Sequence, residues 1–213
     1  MLVRANLLDR ANESLNLLKE GGLSETEESR IRNIIAEAQG NDPIYLRKEQ
    51  FKKTDSVADL MGLVEELAIR GAWDACCEYG QILFERTHSL RDAERLAYSL
   101  SKTKDNQRLV EFLEANRTLL SQSKNLQLLY CGALYDMGSL LKARSELMNL
   151  NDYRDNANYR YLQVHLGIAL GDWTSLSAFV ANECLEKDKR SAQELISAAQ
   201  LALQLNSPNA KEL

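Results

Sequence analysis

The residue types that carry most enzyme chemistry are scarce in this chain and poorly placed for it. There are two histidines and four cysteines in 213 residues. His88 falls in the turn Thr87-His88-Ser89 and His165 within a helical stretch. A catalytic histidine needs an oriented partner within hydrogen-bond reach, and both are read as structural rather than as bases or ligands. Cys76, Cys77, Cys131 and Cys184 form no C-x-x-C pair. Four free thiols are therefore expected, as in a reducing cytosol. The adjacent Cys76 and Cys77 must point in different directions on a helix, one of them into a small-residue packing slot. No glycine-rich phosphate loop and no Gly-x-Ser-x-Gly elbow occurs. The expectation is a non-enzymatic chain with no catalytic residues, no cofactor and no metal.

Composition narrows the alternatives. The chain is 45% hydrophobic, 27% charged and 7% aromatic with only two prolines, which favours helices over a turn-rich β fold. Its net charge of −5 weighs against nucleic acid as the partner, because phosphate neutralisation needs a basic surface. Nothing approaches the roughly 18 consecutive apolar residues of a membrane span. Residues 1–20 carry Arg4, Asp9, Arg10, Glu13 and Lys19, the pattern of an amphipathic helix rather than a signal segment. A soluble, cytoplasmic protein without a membrane partner is expected.

The elements that would position any functional residue follow a period. Gly71, Lys104, Gly138, Gly171 and Asn206 are spaced by 33, 34, 33 and 35 residues. Between them the chain resolves into paired helices. The A helices are expected over about 56–70, 90–102, 123–137, 156–170 and 189–205, the B helices over about 73–86, 106–119, 139–150 and 173–186. Apolar residues recur at helical spacing in each A helix, as in Leu60, Leu63, Val64 and Leu67. Ser89, Asp105, Asp155, Asp172 and Asp188 are the expected N-caps. Gly71, Gly138 and Gly171 stand where a left-handed C-cap is easiest without a Cβ. Such regularity predicts an all-α, right-handed superhelical solenoid of antiparallel hairpins, with a period of about 34.

Three segments fall outside that period. Residues 1–39 are read as a separate N-terminal hairpin, with Ser24 and Glu27 forming a capping box. Residues 40–54 are read as a partly extended connector whose basic run Arg47 to Lys53 is a solvated face. The array over 55–213 ends in an incomplete repeat begun by Ser207-Pro208. The last A helix would then lack a cover, which predicts either a longer polypeptide or self-association through that helix.

At this resolution the repeats resemble the tetratricopeptide family, over about residues 56–213. Two positions after the turn residue, where the family has an aromatic, the chain reads Trp73, Asn106, Leu140, Trp173 and Pro208; three further on, where it has a small residue, it reads Cys76, Leu109, Ala143, Leu176 and Lys211. The proline that usually closes helix B is missing, with His88, Ser121, Asp155 and Asp188 near those sites. A second resemblance, carried by Gly171-Asp172-Trp173 and the string Arg190 to Leu195, is to repeat regions of large bacterial multidomain proteins. Some of those join a nuclease-like or elongation-factor-like domain.

The family resemblance implies a scaffold that binds a protein or peptide in the concave groove lined by the A helices. Here that lining comprises Arg95, Ser99, Lys102, Asn125, Leu128, Asn158, Tyr161, His165 and Glu194. Asn125 and Asn158 recur at one groove position, and an amide there can donate to and accept from a peptide backbone. Trp73 and Trp173 are expected to pack between hairpins. In the segment Tyr153 to Tyr161, aromatic residues alternate with Arg and Asn, as in interface hot spots and stacking platforms. The plain alternative is that Tyr159 packs inward while the arginines form ion pairs. A second functional class, a nucleic-acid-binding repeat supporting a nuclease or transcription-related domain, would use Arg95, Lys102, Lys104, Arg108, Arg144, Arg154 and Arg160.

Overall fold

A computed structural model describes residues 42–207 continuously, together with scattered helical positions between residues 10 and 35. The expected N-terminal hairpin and the helix begun by Pro208 lie largely outside the described residues. Within them the chain is all-helical and contains no strand. The helices are α1 (Pro43–Thr54), α2 (Val57–Ile69), α3 (Trp73–Thr87), α4 (Leu90–Thr103), α5 (Asn106–Ala115), α6 (Arg117–Gln122), α7 (Lys124–Asp136), α8 (Leu140–Met148), α9 (Ala157–Leu170), α10 (Trp173–Leu185) and α11 (Ala192–Gln204). The chain divides into two compact units, residues 1–99 and 100–213.

One backbone device recurs along both units. Gly71, Lys104, Gly138, Gly171 and Asn206 all take left-handed backbone, with φ of 68°, 59°, 76°, 66° and 50°. In each case the next amide reaches back five residues. Ala72 donates to Leu67, Asp105 to Leu100, Ser139 to Leu134, Asp172 to Gly167 and Ser207 to Ala202, at 2.8–3.3 Å. This closes the carbonyls that a helix end leaves unpaired and turns the chain back. The opposite turn also recurs. Ser56, Ser123, Asn156 and Ser191 are extended N-caps whose side chains accept from helix amides, and Ser89 Oγ accepts from the Asp92 amide at 3.1 Å.

Several expected boundaries move. The cap of α9 is Asn156 rather than Asp155, and that of α11 is Ser191 rather than Asp188. Asp188 lies in a short 3-10 turn, Lys187–Lys189, that precedes the cap. The helix expected over 106–119 breaks at Asn116, whose φ of −115° and ψ of 44° are not helical, dividing α5 from α6. Asn116 Nδ2 donates to the Phe112 carbonyl at 2.8 Å and takes over a helix-end acceptor.

In the first unit, the segment expected as an extended connector is instead the three-turn helix α1. Asp42 caps it by accepting from the Ile44 amide at 3.0 Å, and Pro43 occupies the first turn, where no N–H is needed. Phe51 anchors α1 on the cluster of Leu60, Val64 and Leu83. Its basic run stays at the surface, with Lys52 2.9 Å from Glu49. Thr54, Ser56 and Asp59 form the same hydroxyl–carboxylate turn between α1 and α2 that Thr87, Ser89 and Asp92 form before α4. Trp73 packs in the Leu63–Leu67–Cys76 cluster and meets Tyr98 edge-on at 5.7 Å.

In the second unit each helix packs on its successor from α7 to α11, and α7 also contacts α5 and α9. The buried residues are mainly leucines, including Leu109, Leu113, Leu126, Leu134, Leu166 and Leu176. Gly167 lets α9 and α10 meet closely: a Cβ there would lie 2.7 Å from Leu176 Cδ2. Successive hairpins are also stitched by ion pairs between residues 28 to 35 apart, such as Lys142–Glu114 and Arg190–Asp155. Trp173, unlike Trp73, is 57% exposed, contrary to its expected packing role. Tyr98, which Trp73 meets, stands nine residues after the cap Ser89; nine residues after Ser191 the chain has Gln200.

Candidate functional site

In the second unit a cleft of about 310 Å³ is formed by α9, α10 and α11. Helical spacing puts Ala157, Arg160, Tyr161, Val164 and His165 on its α9 wall. Phe179 and Glu183 come from α10, and Glu194, Ser197, Ala198 and Leu201 from α11. Small side chains on α9 and α11 leave room between the two helices, while Val164, Phe179 and Leu201 make apolar walls that continue into the core cluster of Leu176 and Val180.

Beneath these walls runs an ionic network in which the side chains of Arg160, Arg190 and Glu183 are buried, that of Glu186 is partly exposed and that of Asp155 is exposed. Arg190 Nε donates to Glu183 at 3.0 Å, with the two side chains 6% and 4% exposed. Its other nitrogens reach Glu186 at 2.5 Å and Asp155 at 3.3 Å. Arg160 pairs with Glu194 and donates to the Asp155 carbonyl at 2.9 Å. Burial lowers the pKa of Arg160, and the nearby Arg190 charge adds to that shift. Glu194 also closes the capping box of α11, accepting from the Ser191 amide at 2.9 Å and hydroxyl at 2.8 Å. The network locks the α9 start, the α10 end and the α11 start together.

At the mouth, His165 links two tyrosines. Its ring lies 4.0 Å from Tyr161 and 6.2 Å from Tyr135. Tyr161 is 57% exposed. Gly132 on α7 faces open space, with no atom within 4 Å of where its Cβ would be.

The nine expected groove residues are distributed unevenly. Tyr161, His165 and Glu194 come together at this cleft. Asn125 and Asn158 are exposed, and Asn125 accepts from the Tyr153 hydroxyl at 3.3 Å. Lys102 is also exposed. Leu128 is buried in the second unit. Arg95 and Ser99 belong to the first unit. Arg95 pairs with Glu65 at 2.5 Å and Asp92 at 3.4 Å. Ser99 is buried and donates to the Arg95 carbonyl at 2.9 Å. Ser99 is buried because it stands five residues before the left-handed Lys104, the same inward phase as Ala133, Leu166 and Leu201.

Sequence reasoning missed Arg160, Phe179 and Glu183 as cleft residues. The Arg-rich aromatic segment did point to Arg160; Phe179 and Glu183 lie on a B helix and had no such signal. Tyr159 is buried, as the plain alternative for that segment had it.

Glu85 stands three residues before His88 and Asp92 four after it. His88 nevertheless takes left-handed backbone, and Asp92 is held by Thr87, Ser89 and Arg95. Among the described residues no group of His, Cys, Asp or Glu could hold a metal. Burial pushes the Cys76 thiol up to about 11 and that of Cys131 to about 12, far from a nucleophilic thiolate. No helix of the described residues is long and apolar enough to cross a membrane. No protein-family model matches the sequence, and no curated protein is similar to it.

Proposed function

We propose that this chain is a non-catalytic, tetratricopeptide-like scaffold, a superhelical array of hairpins that holds a peptide or protein segment along the A helices of its second unit. The observation that carries this reading is an uncharged face. Leu128, Gly132 and Tyr135 on α7, Tyr161, His165 and Ile168 on α9, and Ile196, Gln200 and Leu203 on α11 repeat at the i, i+4, i+7 spacing of a single helix side. They stand in the same register, ten, six and three residues before Gly138, Gly171 and Asn206. In a chain 27% charged, an ordinary solvated face of that size would carry charges. Leu128 is buried at the α7 end of this row, but Tyr161, Ile196 and Leu203 are more than half exposed. Exposed apolar surface of this kind marks an interaction site.

Three of the seven basic residues that a nucleic-acid reading would use, Arg95, Arg144 and Arg160, are engaged in ion pairs, which favours the protein-partner reading.

The test is selection of peptides from a random twelve-residue display library on the full chain, followed by affinity measurement with Gly132→Leu and Tyr161→Ala. The Cβ of that leucine has no atom within 4 Å, so the side chain starts from open space at the face. Each change should weaken selected peptides about tenfold, the value of one lost anchor contact. Failure to select any peptide, or affinities indifferent to both changes, would refute the reading.

A further inference from the structure

The cleft between α9 and α11 is chemically more specific than the face around it. Its apolar walls, Val164, Phe179 and Leu201, give way at depth to Arg160, Glu183 and Glu194. The donors of Arg160 are directed to Glu194 and the Asp155 carbonyl, and those of Arg190 to Glu183, Glu186 and Asp155. These bonds use two of the five N–H donors of Arg160 and three of those of Arg190, so the floor offers both donors and acceptors to a ligand, which suits a neutral polar tip. An ionised carboxylate has about four lone-pair sites. Glu194 uses three of them, on Arg160, the Ser191 amide and the Ser191 hydroxyl.

We propose that this cleft receives one aromatic side chain with a hydrogen-bond donor at its tip, a tyrosine or tryptophan of the partner peptide. The inference rests on the peptide-binding reading of the face. A ring body matches the apolar walls, and a phenol or indole N–H at its tip meets the Glu194 and Glu183 carboxylates. A volume of about 310 Å³ holds such a side chain. The competitors fit worse for stated reasons. A carboxylate or phosphate tip meets two carboxylates already at the floor. A lysine or arginine tip is drawn to those carboxylates but must shed its hydration between the apolar walls Val164, Phe179 and Leu201, a cost that a neutral phenol or indole tip avoids. A phenylalanine or leucine shields the floor from water without replacing the hydrogen bond, which is the costly case for a buried polar group.

The test uses the peptides selected on the full chain, labelled with fluorescein and titrated by anisotropy. Selected sequences should share a Tyr or Trp. Changing a Tyr anchor to Phe should weaken binding about tenfold, the loss of one charge-assisted hydrogen bond, and phosphorylating it should abolish binding. Ala157→Leu and Ser197→Leu, both at exposed positions on the cleft rim, should each cost at least about tenfold with the circular-dichroism melt unchanged. Should either variant fail to fold, amide chemical shifts of the unaltered chain decide. N-acetyl-tyrosinamide should move Tyr161, Val164 and Leu201 more than N-acetyl-phenylalaninamide does. Peptides that bind without an aromatic anchor, undiminished by both rim changes, would overturn this assignment while leaving the binding face intact. Equal shifts with the two amides would also overturn it. If no peptide is selected, the face and the cleft assignment fall together.

Discussion

Lys104 offers a direct measurement of what the recurring turn requires. Its φ of 59° is left-handed, a conformation that glycine fills at Gly71, Gly138 and Gly171. A left-handed non-glycine residue is strained by roughly 1–2 kcal/mol. Lys104→Gly removes that strain but gives back about 0.4–1 kcal/mol through the greater freedom of the unfolded chain. The net expectation is a stabilisation of about 0.5–1 kcal/mol, and a rise in Tm of about 1–4 °C for a chain of this length. Gly138→Ala is the mirror experiment. Nothing lies within 4 Å of the new Cβ, so the whole penalty is conformational, a destabilisation of similar size. Urea unfolding followed by circular dichroism gives the global value. Hydrogen exchange at the Asp105 amide, which donates to the Leu100 carbonyl at 3.3 Å, reports the turn itself. A destabilising Lys104→Gly together with a neutral Gly138→Ala would show that side-chain contacts, not backbone strain, govern these turns.

Two further outcomes follow from burial. Arg190→Ala leaves Glu183, 3% exposed, without its guanidinium, and should destabilise by about 3–5 kcal/mol in denaturant unfolding. Lys124→Ala, which removes the exposed pair with Asp152, should leave the denaturant midpoint nearly unchanged, because solvent screens such a pair. The thiols set an alkaline limit. Folded Cys76 and Cys131 keep their protons to about 11 and about 12, whereas an unfolded cysteine releases its proton near 8.5. The unfolded state therefore binds fewer protons above that pH, and stability falls as pH rises, by about 1.4 kcal/mol per pH unit for each thiol until its folded pKa is reached. Cys131→Ala should flatten the decline of the urea midpoint above pH 9. An unchanged slope would show that the thiol does not stay protonated in the fold.

Most helices were legible because their signals are local. A cap hydroxyl reaches an amide two or three residues away, and a left-handed residue closes a bond five residues back, so Ser123, Gly138 and Gly171 can be read without knowing what packs on them. The connector misreading at residues 40–54 was avoidable: Asp42-Pro43 is the same cap-and-proline start recognised at Ser207-Pro208. The errors at Asp155 and Asp188 were of another kind. Several oxygens compete for one helix end, and the choice depends on which carboxylate is taken elsewhere, as Asp155 is by Arg190.

The sequence alone therefore determined the helical class, the turn positions and the scarcity of catalytic groups, all of which rest on short-range spacing. Tertiary structure decided the rest. It buried Leu128, exposed Trp173, and set Tyr161, His165 and Glu194 around one cleft. Phe179 and Glu183 reached that cleft from α10, and Arg190 joined the network beneath it, because three consecutive helices close on the gap left by small side chains. No spacing within one helix encodes such a gap.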